Sequence, residues 1–395
     1  MNPAEIESIR TWLIDGASSA PRAGLLMAQL AERLVAAGLP LWRAGVFVQT
    51  LHPEVFGRNF VWRAATGAVE VGSAPFGVQD SDEFKNSPFR LLYEAGQEVR
   101  YRLADPASRA FGFFDGMRAE GATDYFATPL RFLDGSIHAT SWSTNAAQGF
   151  SEDHLNAIRL IIPALSRLVE GIGLRRVAIT LLDTYVGSRA GARILAGDIR
   201  RGHAETMRVA IWLSDMRGFT ALSDRLPPET VVQVLNGFFD CQVAAIAAQG
   251  GEVLKFMGDG LLAVFPILEA GDGDDSEMVC GRVLTAAREA CAGVSSLSFP
   301  TVGNAMGPVR FGIGLHVGRV LYGNIGGGNR LDFTCIGPAV NLAARLEKIA
   351  GRLGRTIVAS SDFAAVTRGG WMDLGEFPIS GFASSERVYG LSQQV

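Results

Sequence analysis

The chain has 395 residues, of which 48% are hydrophobic and 19% are charged, and its formal net charge is −4. This composition is ordinary for a globular protein of two or three domains, and the acidic balance gives no support to a nucleic-acid-binding protein. The four cysteines form no CxxC pair, so we expect reduced, buried side chains rather than a disulfide framework.

Secretion and membrane insertion are also disfavoured by the sequence. The N-terminal residues, MNPAEIE, lack the basic region and the apolar run of a secretory signal. No uninterrupted apolar run reaches about 18 residues, the length that a membrane-spanning helix needs. We therefore expect a cytoplasmic protein without a membrane span.

Residues 1–150 combine helical and strand patterns. Leucines recur at helical spacing over residues 25–35, and residues 44–50 and 59–64 are typical of short strands. An Asp-Gly pair in the middle of residues 127–144 predicts a hairpin. This part of the chain is predicted to be an α+β domain.

Residues 151–206 are predicted to be mostly helical. Ser151 is a suitable N-cap, and an apolar stripe follows it until Gly171–Gly173, where we expect the helix to break. Further helical runs are predicted over residues 174–186 and 190–199. Two interpretations stay open for this segment, namely ordinary core packing and a dimerising connector that transmits a signal.

Strands and helices alternate after residue 207, which favours a layered sheet with helices on one face. The predicted strands are residues 209–213, 252–256, 261–265, 309–316 and 331–336, and the predicted helices are residues 228–248, 277–292 and 339–350. Residues 269–277, rich in acids and glycine, are predicted to be a solvated loop.

Two aspartates in this region are candidate metal ligands. Asp215 ends an apolar strand and Asp259 lies in a hairpin turn, so each carboxylate is at a rim that a ligand can reach. Magnesium prefers such oxygen ligands and is commonly coordinated by substrate phosphates as well as by protein carboxylates. An isolated aspartate is more often a turn-former or a helix cap. Here, however, Gly218 follows Asp215 in a strand-to-helix turn, where backbone N–H groups can face a phosphate.

Five segments, in family order and at family spacing, resemble motifs of the class III adenylate/guanylate cyclases. They are residues 212–220 (WLSDMRGFT), 252–260 (EVLKFMGDG), 311–318 (FGIGLHVG), 322–326 (YGNIG) and 334–347 (TCIGPAVNLAARLE). The third is predicted as a strand and the fourth as a turn, and the resemblance covers about residues 207–392. Leu213 stands where the family has phenylalanine, and Ser380 stands where it often has a lysine that contacts phosphate.

The resemblance implies a role for each matching position, with two Mg²⁺ or Mn²⁺ ions per active site. The implied site residues are Asp215, the Met216 backbone carbonyl and Asp259 for the metals, Lys255 and Thr334 for adenine, Gly218, Phe219 and Thr220 for substrate phosphates, Asn341 for the ribose, and Arg345 for the transition state. Asn341 and Arg345 are four residues apart and so share a helix face. A guanidinium suits the charge that develops on the α-phosphate.

The resemblance also bears on the substrate. A lysine donates hydrogen bonds and a threonine both donates and accepts them, so Lys255 and Thr334 can read the N6 amine and N1 of adenine. Guanylate cyclases typically have glutamate and a small residue at these positions. We therefore expect ATP to be converted to 3′,5′-cyclic AMP and pyrophosphate. A guanylate cyclase, a degenerate nucleotide-binding module and a scaffold whose cyclase half only dimerises are the alternatives.

The predicted organisation has three parts. Residues 1–150 form a GAF-like sensor domain with a small-molecule ligand that the sequence does not name, residues 151–206 form a helical connector, and residues 207–395 form a ferredoxin-like class III cyclase domain. The family builds each active site from two cyclase domains, of which one supplies the aspartates. This chain has both sets of residues on one domain, so the resemblance implies a homodimer with two equivalent sites.

Overall fold

The computed structural model describes residues 2–270, 273–299, 308–328, 330–382 and 384–392. The chain divides into two compact units, an N-terminal unit of residues 1–181 and a C-terminal unit of residues 182–395.

The N-terminal unit is built on a six-stranded sheet with the order β3-β2-β1-β6-β5-β4, in which every neighbouring pair is antiparallel. Its elements are α1 (Pro3–Ile14), α2 (Ala23–Ala36), β1 (Arg43–Gln49), β2 (Gly57–Arg63), β3 (Val69–Ala74), α3 (Asp82–Lys85), α4 (Pro88–Ala95), β4 (Val99–Arg102), α5 (Phe113–Ala119), β5 (Asp124–Arg131), β6 (Ile137–Thr144) and most of α6 (Glu152–Val186). The predicted strands and the predicted hairpin are confirmed, and Gly135 adopts the positive φ of 83° that its turn requires.

Each face of this sheet has its own core. One face packs against α1, α2 and α6 and buries Trp62 and Trp142. The other face packs against α4 and α5 and is rich in aromatic side chains, including Phe89, Phe114 and Tyr125. The α+β class predicted for this part of the chain is therefore confirmed.

The connector differs from its prediction. α6 is one helix of 35 residues and continues through Gly171 and Gly173. Glycine weakens a helix by about 1 kcal/mol but does not forbid it, and the good helix formers Leu174, Arg175 and Arg176 follow Gly173. A second helix, α7 (Ser188–Leu195), ends earlier than predicted, because Gly197 turns the chain with a φ of 94°.

The C-terminal unit has an eight-stranded sheet with the order β15-β16-β14-β12-β7-β9-β8, and β13 pairs with β12. Its further elements are β7 (Ala204–Met216), α8 (Phe219–Ser223), α9 (Pro228–Ala248), β8 (Glu252–Met257), β9 (Gly260–Pro266), β10 (Glu269–Ala270), β11 (Gly273–Asp274), α10 (Ser276–Ser295), β12 (Phe311–Gly327), β13 (Arg330–Ile336), α11 (Pro338–Leu353), β14 (Ile357–Ser360), α12 (Ser361–Ala365), β15 (Trp371–Pro378) and β16 (Ser385–Leu391).

The order β12-β7-β9-β8, with α9 and α10 as the connecting helices, is a βαββαβ arrangement in which every neighbouring strand pair is antiparallel. This confirms the ferredoxin-like topology. α9 and α10 cover one face of the sheet, as predicted, and bury Phe238 and Val283 against Trp212.

α11 contradicts the expectation of helices on one face only, because it packs on the opposite face of the sheet together with α7. Three glycines of β12 permit this close packing, since a Cβ on Gly312, Gly314 or Gly318 would collide with α11 or with a side chain beside it. At Gly314 a Cβ would lie 2.6 Å from the backbone nitrogen of Glu347. A side chain at these positions would therefore displace α11.

Two smaller predictions also need correction. Residues 322–326 do not form a turn but lie within β12, where Gly323 allows the neighbouring strand to approach, since a Cβ there would lie 2.6 Å from the Cα of Ala204. Of the predicted loop 269–277, the structure describes a two-residue pairing of β10 with β11 and the start of α10 at Ser276. Residues 271–272 lie outside the described part.

Among the described residues, one helix, α9, is long and apolar enough to cross a membrane when judged by length and composition alone. A core helix of a folded domain satisfies the same criteria. In this structure Val234, Phe238, Ala245 and Ile246 of α9 are buried in the core of the C-terminal unit.

Candidate active site

The two predicted metal-binding aspartates lie at the same edge of the sheet. Asp215, near the end of β7, pairs with Gly260 on β9 and with Gly312 on β12. Asp259 precedes Gly260 in the two-residue turn between β8 and β9. A Cβ on Gly260 would lie 3.0 Å from Oδ1 of Asp215. Gly260 therefore leaves room beside the Asp215 carboxylate, whereas a Cβ on Gly312 would meet Glu347 and Arg217.

The electrostatics of this edge suit a divalent cation. Burial raises the pKa of Asp215, and the negative charge of Asp259 raises it further. Two carboxylates that repel each other in a half-buried place are stabilised by a hard cation with oxygen ligands. In the described part of the chain, no group of three or more His, Cys, Asp or Glu side chains could hold a metal ion. Further ligands would have to be backbone carbonyls, water or substrate phosphates.

The loop after Asp215 has the predicted strand-to-helix form. Gly218 has a φ of 72°, in the left-handed region that favours glycine, and α8 begins at the next residue. Phe219 packs on the core beneath, while Thr220 is exposed. Arg217 donates a hydrogen bond to the backbone carbonyl of Arg355. The loop is thus attached to the core at Phe219 and to the chain after α11 by Arg217.

Two neighbours of this edge were missed by the sequence reasoning. Glu347 on α11 is 7% exposed, and burial together with the charge of Asp215 raises its pKa to about 7. Lys348, the next residue, lowers the pKa of Asp215 by its positive charge. One sequence signal was available, because Lys348 and Lys255 are the two lysines of the C-terminal unit and the whole chain has three.

The predicted adenine-reading pair is placed by two adjacent elements. Nζ of Lys255 on β8 lies 2.9 Å from Oδ2 of Asp332 on β13, and Thr334 is two residues further along β13. Thr334 is 3% exposed, and its Oγ1 has no hydrogen-bond partner among the described residues. Asp332 was not singled out from the sequence, and it is the residue that directs the Lys255 ammonium towards β13.

Asn341 and Arg345 lie on α11, as predicted. Asn341 is exposed and Arg345 is half-buried. Within the described ranges, neither side chain has a hydrogen-bond or ion-pair partner, and none of these interactions joins them to Asp215 or Asp259. The chain by itself therefore presents two sets of predicted site residues that make no polar contact with each other.

The comparisons with known proteins place this site in a family. Residues 203–372 match the family model of the adenylate and guanylate cyclase catalytic domain. This range contains both aspartates, Lys255, Thr334, Asn341 and Arg345. This part of the C-terminal unit is therefore similar to the catalytic domain of adenylate and guanylate cyclases, and we call it the cyclase domain.

Curated relatives of the cyclase domain include adenylate cyclases at modest identity. The chain is 30% identical over 161 residues to an adenylate cyclase of Anabaena cylindrica, a match that covers 41% of this chain and 31% of that protein. It is 28% identical over 242 residues to adenylate cyclase 1 of Rhizobium meliloti, with 61% and 32% covered. The chain thus spans about a third of the length of these relatives.

Solved structures similar to the cyclase domain include enzymes of both nucleotide specificities. A bacterial light-regulated adenylyl cyclase matches with 26% identity and a TM-score of 0.40, over 48% of this chain and 91% of that chain. The guanylyl cyclase Cya2 matches with 29% identity and a TM-score of 0.39, over 49% and 95%.

Two remaining residues of the cyclase domain have clear positions. Ser380, at the position of the family's phosphate-contacting lysine, is exposed just after β15. His316 is buried, and its Nδ1 lies 2.8 Å from Oγ of Ser360. Burial lowers the pKa of His316, as is typical of a histidine in a protein core.

Proposed function

We propose that the protein is an adenylate cyclase that converts ATP to 3′,5′-cyclic AMP and pyrophosphate. The observation that carries the proposal is the position of Asp215, next to Asp259 and between Gly260 and Gly312. This arrangement provides two carboxylates and open space at one edge of a cyclase domain. The cytoplasm is the compartment we propose.

Asp215, Asp259 and the backbone carbonyl of Met216 would hold two Mg²⁺ or Mn²⁺ ions, which activate a hydroxyl nucleophile and neutralise a leaving pyrophosphate. Backbone N–H groups at Gly218, Phe219 and Thr220 would bind phosphate oxygens. Lys348 adds a positive charge close to Asp215. We propose that Lys348 supplies the phosphate contact that Ser380 cannot make.

The base preference follows from Lys255 and Thr334. The ion pair with Asp332 keeps the Lys255 ammonium next to β13, where it can donate to N1 of adenine. The Thr334 hydroxyl has no hydrogen-bond partner within the described chain, so it is free to accept from the N6 amine. This donor and acceptor pattern suits ATP better than GTP.

We propose that the active unit is a homodimer. Asn341 and Arg345 make no polar contact with the aspartates of their own chain in the described residues, although the proposed reaction needs all four. A twofold-related copy supplies the missing set at each of two equivalent sites. Arg345 would then stabilise the charge that develops on the α-phosphate at the partner's aspartates.

We also propose that the N-terminal unit is a GAF-like sensor domain for a small molecule and that α6 and α7 form the connector. Two observations support this proposal. The sheet of the N-terminal unit has an aromatic-rich core on the face covered by α4 and α5. Glu252 on β8 accepts hydrogen bonds from the backbone nitrogen of Ala190 in α7 at 3.3 Å and from the Tyr322 hydroxyl at 3.2 Å. The connector thus touches the strand that bears Lys255.

Purified full-length protein incubated with Mn²⁺ and either ATP or GTP tests the activity. We expect cyclic AMP from ATP, and a fall in kcat of about 10²–10³-fold or more in the Asp215→Ala variant. Asp240→Ala, which changes an exposed carboxylate on α9, should retain wild-type activity. Cyclic GMP as the main product would refute the base preference, and no cyclic nucleotide from either substrate would refute the enzyme.

Co-expression of Asp215→Ala with Arg345→Ala tests the homodimer. In a mixed dimer one site carries both substitutions and the other carries neither. Random pairing therefore predicts recovery of about one quarter of the wild-type activity from two variants that are inactive alone. Activity that stays at the background of the single variants would contradict the shared site.

A further inference from the structure

One arginine of the N-terminal unit lacks the partner that its environment calls for. Arg43 on β1 is half-buried, and its Nε is shielded from solvent without a hydrogen-bond partner among the described residues. The polar contact that the structure gives its side chain is Nη1 to the sulfur of Met117, at 3.8 Å. A thioether is a weak acceptor. A guanidinium withdrawn from water normally pairs with an anion.

The neighbouring arginine shows the contrast. Arg63 on β2 pairs directly with Arg43 across the sheet. Its guanidinium forms ion pairs with Glu120 at 2.9 Å and with Glu70 at 3.5 Å. Arg43 has no carboxylate within ion-pair distance in the described chain. Burial and the positive charge of Arg63 lower the pKa of Arg43, and the charges of Glu120 and Glu70, which pair with Arg63, offset only part of this effect.

A second buried polar group without a partner of hydrogen-bond geometry in the described residues lies in the same row of the sheet. Arg43 pairs with Ser143 on β6, and Ser143 pairs with Tyr125 on β5. Tyr125 is 0% exposed, and its hydroxyl has no partner with hydrogen-bond geometry in the described residues. Burial raises the pKa of Tyr125, and the positive charge of Arg43 and the hydroxyl of Ser141 offset only part of this effect. The Arg43 guanidinium and the hydroxyls of Ser143 and Tyr125 therefore lie near one another on the face of the sheet that α4 and α5 cover.

The rest of this face is apolar and built from small residues beneath aromatic ones. Gly45, Ser141 and Ala127 occupy adjacent positions in the row beside Arg43. The helices above, α4 and α5, contribute Phe89 and Phe114 to the aromatic core. Met117, which contacts Arg43, is unbranched and can rotate aside more readily than a branched or aromatic side chain. The surroundings suit a ligand with one anionic end and an aromatic body.

We propose that this face binds a small aromatic carboxylate, with Arg43 holding the carboxylate in place of the Met117 sulfur and Tyr125 donating a hydrogen bond to it. The assignment rests on the proposed sensor role of the N-terminal unit and gives that role a ligand class. It does not depend on the cyclase reaction, because binding has a readout of its own.

Thermal unfolding of the full-length chain tests the site, with benzoate, phenylacetate and 4-hydroxybenzoate as probes and benzamide as the uncharged counterpart. At a concentration about tenfold above Kd, a bound carboxylate should raise Tm by about 3–6 °C, and benzamide should not. Arg43→Met should abolish this response. Its ligand-free Tm should equal or exceed that of the wild type, because an unpaired buried charge has been removed.

Two further variants complete the test. Tyr125→Phe removes one hydroxyl and should weaken carboxylate binding about two- to tenfold. Arg33→Met, which removes an exposed arginine that stacks on Trp12, should leave the response unchanged. The proposal is overturned if none of the three carboxylates shifts Tm, if Arg43→Met responds like the wild type, or if that variant is destabilised without ligand. Binding without an effect on cyclic AMP production would refute only the regulatory role proposed above.

Discussion

The Lys255 ammonium lies 2.9 Å from the Asp332 carboxylate, and this pair joins β8 to β13 at the predicted base-reading residues. Both side chains are partly exposed, so the pair acts by orientation more than by energy. Thr334 lies two residues after Asp332 on the same strand. The ion pair therefore also holds the Lys255 ammonium near the Thr334 hydroxyl.

Asp332→Asn removes the charged partner of Lys255 and should leave its ammonium less well oriented. The substitution does not change the proposed metal-binding or transition-state residues. We expect KM for ATP to rise about two- to fivefold, which corresponds to the usual strength of an exposed ion pair, and kcat to change little. Steady-state kinetics measure both values. Asp373→Asn, which breaks the exposed Asp373–Arg387 pair, is the matched control and should behave as wild type. A loss of kcat with unchanged KM would show that Asp332 serves another purpose.

Glu347 should make the stability of the metal-free protein fall as the pH rises. Burial, then the charge of Asp215, raises its pKa in the folded state from 4.5 to about 7. The folded protein therefore binds more protons than the unfolded chain between these values, and its free energy of unfolding decreases across that window. Asp215, whose pKa is also raised, acts in the same direction.

Glu347→Gln should flatten this dependence and stabilise the protein by roughly 1–3 kcal/mol at pH 8. Urea unfolding in EDTA at several pH values between 5 and 8 gives the comparison. Glu289→Gln, an exposed carboxylate on α10, should follow the wild-type curve. Parallel curves for wild type and Glu347→Gln would mean that Glu347 ionises normally in the folded state.

Gly314→Ala should displace α11. Its Cβ would meet the backbone of Ala343 and would lie 2.6 Å from the backbone nitrogen of Glu347, and backbone atoms of a packed helix cannot move aside cheaply. We expect a loss of about 1–3 kcal/mol in stability and reduced kcat, because α11 bears Asn341 and Arg345. Denaturant unfolding and kinetics measure the two effects.

Gly281→Ala on α10 is the control for this substitution, since no atom lies within 4 Å of the added Cβ. It should stabilise the protein by about 0.5–1 kcal/mol. A Gly314→Ala variant with wild-type stability would show that α11 can shift away from β12 without cost.

Glu252→Gln should weaken the attachment of α7 to the sheet of the cyclase domain. The charged acceptor of the Ala190 N–H and of the Tyr322 hydroxyl becomes a neutral amide, and the ion pair with Arg189 at 3.6 Å is lost. We expect about 1–3 kcal/mol of lost stability. KM for ATP should rise about twofold or more, because Lys255 lies on the same strand.

Tyr322→Phe removes only one of these bonds and should cost about 1 kcal/mol. Comparing KM with the free energy of unfolding in both variants separates the two effects. Lower stability with unchanged KM in Glu252→Gln would assign Glu252 a purely structural role.

The sequence predicted correctly those elements whose ends are marked by proline, glycine or turn-forming residues. The predicted bounds of α9 agree with the structure, because a proline lies at its start and Gly250–Gly251 follows its end. The hairpin around Asp134-Gly135 and the Asp259 turn were predicted for the same reason, since a tight turn needs particular residues. The order of the motifs along the chain likewise identified the cyclase domain.

Three other glycines differ from their predicted roles. Gly171 and Gly173 did not break α6, since the residues around them favour a helix. Gly323, predicted to lie in a turn, instead permits the close approach of β7 to β12, which depends on a strand distant in sequence.

The sequence by itself determined the type of most elements and the βαββαβ order, and it predicted the two metal-binding aspartates, because spacing, turns and motifs are local properties. Only the tertiary structure decided that α11 packs on the second face of the sheet, that Asp332 holds Lys255 and that Glu347 lies near Asp215. It also decided that Arg43 has no anionic partner among the residues the structure describes. Each of these depends on which side chains meet across separate elements, and that is fixed by packing and burial rather than by the order of residues along the chain.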